Sequence, residues 1–166
     1  MILKYDLRVP IFLLLSAVSL LLLVLSVPIH EMGHALICRL YGSHSYIQGV
    51  ETHCIPDLIG MPKTVNKYFG GLFSAIIFSL FLFLFQKFTK YRYILLQIFL
   101  PVILFQLINS LLEGGFTSYY IVLRESQIFV LLLFILLFLI NLTVFYNKFM
   151  RELQRIMIKI NTLRSK

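Results

Sequence analysis

Four long apolar runs, at residues 10–29, 68–88, 93–112 and 127–146, leave this chain few ways to fold. Each matches the roughly 20 residues that a helix needs to cross a hydrocarbon layer. Inside a bilayer only helices and closed barrels satisfy their own backbone hydrogen bonds, and runs this long predict helices. The remaining sequence cannot supply a water-facing shell, because 60% of the residues are hydrophobic and only 13% charged. The expectation is an all-α, multi-pass integral membrane protein with about four transmembrane helices in a lipid bilayer. Lys4 and Arg8 precede the first run as in a signal peptide. That run is too long for an h-region and has no small-residue cleavage site, so it reads as a retained span. One membrane domain then covers residues 1–166, with a core at 11–115, an additional span at 127–147 and a basic tail at 148–166. No internal repeat and no appended soluble module is visible.

The net charge of +8 bears first on topology. With four spans, the N-terminus, the second loop and the tail share one side and hold eleven of the fifteen Lys and Arg residues. Arg39, Lys63, Lys67 and Arg124 are left on the other. The positive-inside rule therefore places both termini in the cytoplasm. No aromatic-basic soluble surface exists to bind nucleic acid. In the tail, Phe149, Leu153, Ile156, Ile160 and Leu163 recur at helical spacing, with Arg151, Arg155 and Lys159 on another face. This suits a basic amphipathic helix on anionic headgroups, or a solvated extension of the last span.

Where the first run ends, the sequence reads His30-Glu31-Met32-Gly33-His34, which fits H-E-x-x-H. Residues four apart lie on one helix face, so both imidazoles can aim at one ion, and zinc accepts such a pair. Glu31 is offset by about 100° from His30. From there it reaches a water at the metal without being a ligand, the placement a general base needs. Ionisable groups at a membrane helix face are costly and usually functional.

A catalytic zinc usually takes three protein ligands and keeps an open position. Glu113 is the acidic residue that closes an apolar run comparable to the first. His30 lies 19 residues past Ile11, and Glu113 lies 19 residues past Ile94. The first and third spans run in the same direction, so both groups reach the same depth. Gln106, Asn109 and Glu113 share one polar face, with hydrogen bonding between helices as the plainer use of the first two. Gly114 and Gly115 should end the helix there. Gly70, Gly71, Ala75 and Ser79 form a small-residue stripe for close helix packing, and the Ser74 hydroxyl is a candidate contact to the site.

These pieces together resemble the site-2 proteases, intramembrane zinc metallopeptidases with a three-helix core. The matching stretches are His30-Glu31-Met32-Gly33-His34, Gly70-Gly71-Leu72-Phe73-Ser74 and Leu112-Glu113-Gly114, within residues 11–115. The resemblance implies zinc held by His30, His34 and Glu113, with Glu31 activating water. It also implies hydrolysis of a peptide bond in a membrane-spanning or membrane-proximal substrate, with Ser74 and Asn109 as candidate substrate or transition-state contacts. The chain departs from the family in offering Glu113 where Asp is usual. Phe105 and Ile108 stand where Asn and Pro commonly do. The CAAX-type proteases also use H-E-x-x-H with a Glu ligand. They need an acidic residue four positions on, where this chain has Thr117.

A helical substrate must be extended before cleavage, and residues 46–50 could form an edge strand or short hairpin to which it adds. His44 and His53 in this loop read as surface histidines. Cys38 and Cys54 fit no C-x-x-C spacing. Two unpaired buried thiols are the first reading and a disulfide the alternative where that side is oxidising. With no soluble module, substrate choice would rest with a protein partner or with prior trimming by another protease. The alternative function is a metal-binding or transport membrane protein, or an inactive relative. Against transport, the interiors of the second and fourth spans carry no ionisable residue.

Overall fold

In the computed structural model, residues 8–48, 51–116 and 126–164 are described. Four helices and one hairpin follow in the order α1 (Arg8–Leu40), β1 (His44–Gln48), β2 (Glu51–Ile55), α2 (Met61–Phe88), α3 (Arg92–Gly115) and α4 (Gln127–Arg164). All four helices are long and apolar enough to cross a membrane. Lys4, Arg124 and Lys166, which enter the charge count, lie outside the described residues, as do Gly49 and Val50 of the expected edge strand.

The apolar runs predict the helices but not their ends. α1 has 33 residues, about 50 Å at 1.5 Å per residue, and carries the histidine pair beyond the apolar run without a break. It stops where Gly42 takes a positive φ of 78°, the left-handed conformation that terminates helices. The backbone N–H of Ser43 then bonds back to the Cys38 carbonyl at 2.8 Å. This reversal folds the hairpin back along α1. β1 and β2 are antiparallel in the register Ser45↔Cys54 and Ile47↔Thr52. α2 begins at Met61, seven residues before its apolar run, with Pro62 in the first turn where a missing N–H costs nothing.

Disulfide Cys38–Cys54, with Cα atoms 5.4 Å apart, corrects the expectation of unpaired thiols. The hairpin register carries Cys54 to the last turns of α1, a proximity that spacing along the chain does not reveal. Cys38 is fully buried, and Leu58, Val65 and Phe69 join it in a small apolar cluster between α1, the hairpin and α2.

The main core lies between α3 and its neighbours, with Ala75 and Phe78 of α2, Phe99 and Val102 of α3, and Phe134 of α4 buried together. Polar groups join the helices at intervals. Ser19 donates to the Ile98 carbonyl at 2.8 Å, Gln97 to the Phe138 carbonyl at 3.1 Å and Asn141 to the Leu96 carbonyl at 3.0 Å. Such bonds tie apolar helices together.

The tail continues α4 without a break to Arg164. Phe149 and Leu153, which the periodicity assigns to a headgroup-facing stripe, are each only 1% exposed and belong to the main core. The apolar face is real, but its partner at these positions is protein.

Candidate metal centre

Three adjacent contacts build the centre, and each depends on a missing side chain. Gly33 of α1 meets Gly70 of α2, where a Cβ on Gly33 would lie 3.0 Å from the Gly70 Cα. Gly71 faces the other way, and a Cβ there would come within 2.5 Å of the Gln106 carbonyl and 2.8 Å of the Ser110 backbone nitrogen. The two consecutive glycines thus admit α1 on one side of α2 and α3 on the other. Gly70 also makes room for both imidazoles, since a methyl group there would collide with Nε2 of His34 and lie 2.7 Å from Nε2 of His30.

The rings are buried, His30 5% and His34 6% exposed. His30 Nδ1 lies 3.2 Å from Gln106 Oε1, and His34 Nδ1 lies 2.8 Å from the backbone carbonyl of Asn66. Both partners are carbonyl oxygens, which can only accept, so each Nδ1 carries the proton and donates it. Each Nε2 is then turned to the convergence point, with a lone pair when its ring is neutral. The two Nε2 atoms are 3.0 Å apart. Glu113 faces them both, Oε2 at 3.1 Å from His30 Nε2 and Oε1 at 3.3 Å from His34 Nε2. Neutral rings and a carboxylate converging in this way repel one another unless a proton or a metal ion lies among them. Among the described residues, His30, Glu31 and His34 form a group that could hold a metal ion.

Glu31 also belongs to the cluster, its carboxylate oxygen lying with ligand atoms of His30 and His34 within 4.8 Å of one another. Two carboxylates therefore compete for the third position. The 3.1 and 3.3 Å contacts set Glu113 against both Nε2 atoms, while Glu31 lies within 4.8 Å of the ring ligand atoms. Matching depths of His30 and Glu113, expected from residue counting, appear as direct contact between their side chains.

A second layer holds the first. Gln106 receives the His30 proton and donates its own amide to Ser26 Oγ at 2.6 Å. Ser26 in turn donates to the Leu23 carbonyl at 2.6 Å. Such chains fix ring orientation at metal sites. Asn109 Nδ2 sits 3.5 Å from His30 Nδ1, on the side of the ring away from the convergence point. Ser74 is fully buried and donates to the Ser26 carbonyl at 3.3 Å. Neither residue lines the cleft over the centre: Ser74 is turned to the backbone of α1, and Asn109 sits beside the His30 ring.

That cleft, about 130 Å³, is lined by His30, Glu31, His34 and Glu113 with Glu51, Thr52, Asn66 and Lys67. No sequence motif singles out the last four. Thr52 donates to the Glu31 carbonyl at 3.1 Å, pinning β2 to α1 beside Glu31. Asn66 and Lys67 lie four and three residues before Gly70, so they share the face that Gly70 turns to the histidines. That spacing was the available signal, and starting the helix at Tyr68 concealed it. His53 stands apart, stacked on Tyr46 at 5.2 Å and 3.9 Å from a Glu51 oxygen. His44 and Asp57 are exposed.

No protein-family model, curated protein or solved structure matches the chain.

Proposed function

We propose that the chain is an intramembrane zinc metallopeptidase that cleaves a membrane-spanning or membrane-proximal peptide. The observation that carries this reading is the convergence of both Nε2 atoms and the Glu113 carboxylate within 3.3 Å, while each Nδ1 has a carbonyl oxygen of its own. Zinc suits the set because it takes His and carboxylate ligands in tetrahedral array, where ligand atoms lie about 3.3 Å apart. The separations of 3.0, 3.1 and 3.3 Å approach that edge.

His30, His34 and Glu113 would hold the ion, leaving a fourth position open to the cleft. When bound, the ion supplies Lewis-acid polarisation of the scissile carbonyl and acidifies the attacking water. Glu31 takes that water's proton and then delivers it to the departing amine. Its place beside the ligands, with its backbone anchored by Thr52, supports this role. Lys67, on the cleft wall, puts a positive charge near the negative charge that develops on the carbonyl oxygen. An apolar groove of about 390 Å³ runs along β1, lined by Met32, Leu36, Tyr46, Ile47 and Phe73 among others. It supports reception of an extended substrate beside that strand.

Metal analysis of purified protein tests the centre. One zinc per chain is expected for wild type, and less than a tenth of that for His34→Ala. Glu113→Ala should lose most of the metal, whereas Glu113→Asp should keep it, because shortening by one methylene changes reach and not chemistry. Full zinc in Glu113→Ala would hand the third position to Glu31.

The proposed orientation puts both termini in the cytoplasm and the hairpin on the opposite side. Two independent features support it, the distribution of Lys and Arg and the Cys38–Cys54 disulfide, which persists in oxidising compartments. Ile59→Cys, at a position 81% exposed beside the hairpin, should react with an impermeant maleimide added outside intact cells. Labelling only after the cytoplasm is opened would reverse the orientation.

A further inference from the structure

At the opposite end of the bundle, α4 carries Lys148, Arg151, Arg155 and Lys159, spaced three, four and four residues apart, so they share one face. The first three line a cavity of about 160 Å³ with Tyr93 and Glu152. The Glu152 carboxylate is engaged with backbone instead. It is 6% exposed, and its Oε2 accepts the backbone N–H groups of Tyr93 at 2.9 Å and Ile94 at 3.1 Å. The carboxylate thus caps the first turn of α3, satisfying donors that have no partner within their own helix. Among the described residues, no ion pair joins it to the three cations.

The cations are positioned and not merely exposed. Lys148 Nζ lies 5.1 Å from the centroid of the Tyr93 ring, and Arg151 Nε donates to the Asn147 carbonyl at 3.3 Å. The cavity also has a defined depth, because Lys148 follows the apolar run by two residues. One turn apart before it on the same face come Leu136, Ile140 and Val144, exposed by 54%, 48% and 67%. An apolar track therefore leads into a cationic cavity.

We propose that Lys148, Arg151 and Arg155 bind a phosphate group here, and the track beneath them favours the phosphate of an anionic lipid whose acyl chains lie along α4. The lipid source rests on the membrane reading above and is independent of peptidase activity. Guanidinium forks suit phosphate oxygens, and Tyr93 marks the headgroup level where such belts occur. By holding α4 against the start of α3, the lipid would reinforce the Glu152 cap.

The test uses the full chain purified in neutral detergent, titrated with phosphatidylglycerol, phosphatidylcholine or inorganic phosphate. Thermal midpoint and bound lipid by native mass spectrometry are the readouts. Phosphatidylglycerol should bind and stabilise preferentially, and Arg151→Gln/Arg155→Gln should weaken it about 30-fold with zinc content unchanged. Lys87→Gln/Lys90→Gln removes equal charge outside the cavity and should retain the preference. Stabilisation by inorganic phosphate as strong as by lipid would support the phosphate site and make its ligand soluble. Equal binding of both lipids, an undiminished preference in the arginine variant or an equal loss in the lysine variant would each overturn the proposal. The wild-type zinc content of the variants separates this result from any failure of the metal centre.

Discussion

Gly70→Ala should leave a folded protein that no longer holds zinc. The substitution favours the helix itself, because Ala is about 1 kcal/mol better than Gly in a helix interior. What the new methyl meets decides the outcome. Its nearest neighbours are imidazole atoms of His34 and His30, the far ends of side chains that can rotate. The rings swing aside, breaking the bonds of His30 to Gln106 and of His34 to the Asn66 carbonyl. Each such bond contributes about 1 kcal/mol, a loss the helix gain partly offsets. The metal geometry has no such slack, so zinc affinity should fall by more than the roughly 100-fold upper range for removing an outer-shell partner. Gly71→Ala is the contrasting variant. Its methyl meets the backbone of α3 at Gln106 and Ser110, so the helices themselves must separate and the thermal midpoint should drop. Competition with a fluorescent chelator and a thermal melt read the two effects separately. Unchanged zinc affinity in Gly70→Ala would mean that the Nε2 atoms do not converge on a metal at this place.

Much of this centre was readable because helices convert residue count into depth. Equal counts from the starts of two parallel runs brought His30 level with Glu113, and four-residue spacing put His34 on the same face. Lateral neighbours were less accessible. Gly70 read as a packing residue, yet it provides the space for the imidazoles, which depends on α1 lying directly against α2. Asn66 and Lys67 escaped notice because hydropathy reports where a helix becomes apolar, and α2 starts seven residues earlier. The disulfide depended on hairpin register and on the reversal at Gly42, neither of which Cys spacing encodes. In the tail, the period of Phe149 and Leu153 correctly marked an apolar face. Periodicity cannot tell whether lipid or another helix covers such a face, and here α3 does.

Glu31→Gln should keep the fold and the zinc while abolishing cleavage. Glutamine preserves the length and planar shape of the side chain, and the Thr52 bond goes to the Glu31 backbone, which the substitution leaves in place. None of the three ligand contacts among His30, His34 and Glu113 involves the Glu31 side chain. On the proposed mechanism, what disappears is the capacity to accept a proton from water and return it to the amine. General acid–base catalysis is worth about 10²- to 10⁴-fold, and in the proposed mechanism one group serves both steps, so the upper part of that range is expected. The measurement is cleavage of a transmembrane peptide substrate in proteoliposomes, with zinc stoichiometry determined on the same preparation. The variant also separates the two classes of function that the sequence allows. A metal-binding or transport protein should tolerate Glu31→Gln and fail with His30→Ala, because only the histidine is a ligand. A peptidase should fail with both, losing zinc in the second case alone. Cleavage retained in Glu31→Gln at the wild-type rate would remove Glu31 from the reaction, even with zinc and all three ligands in place.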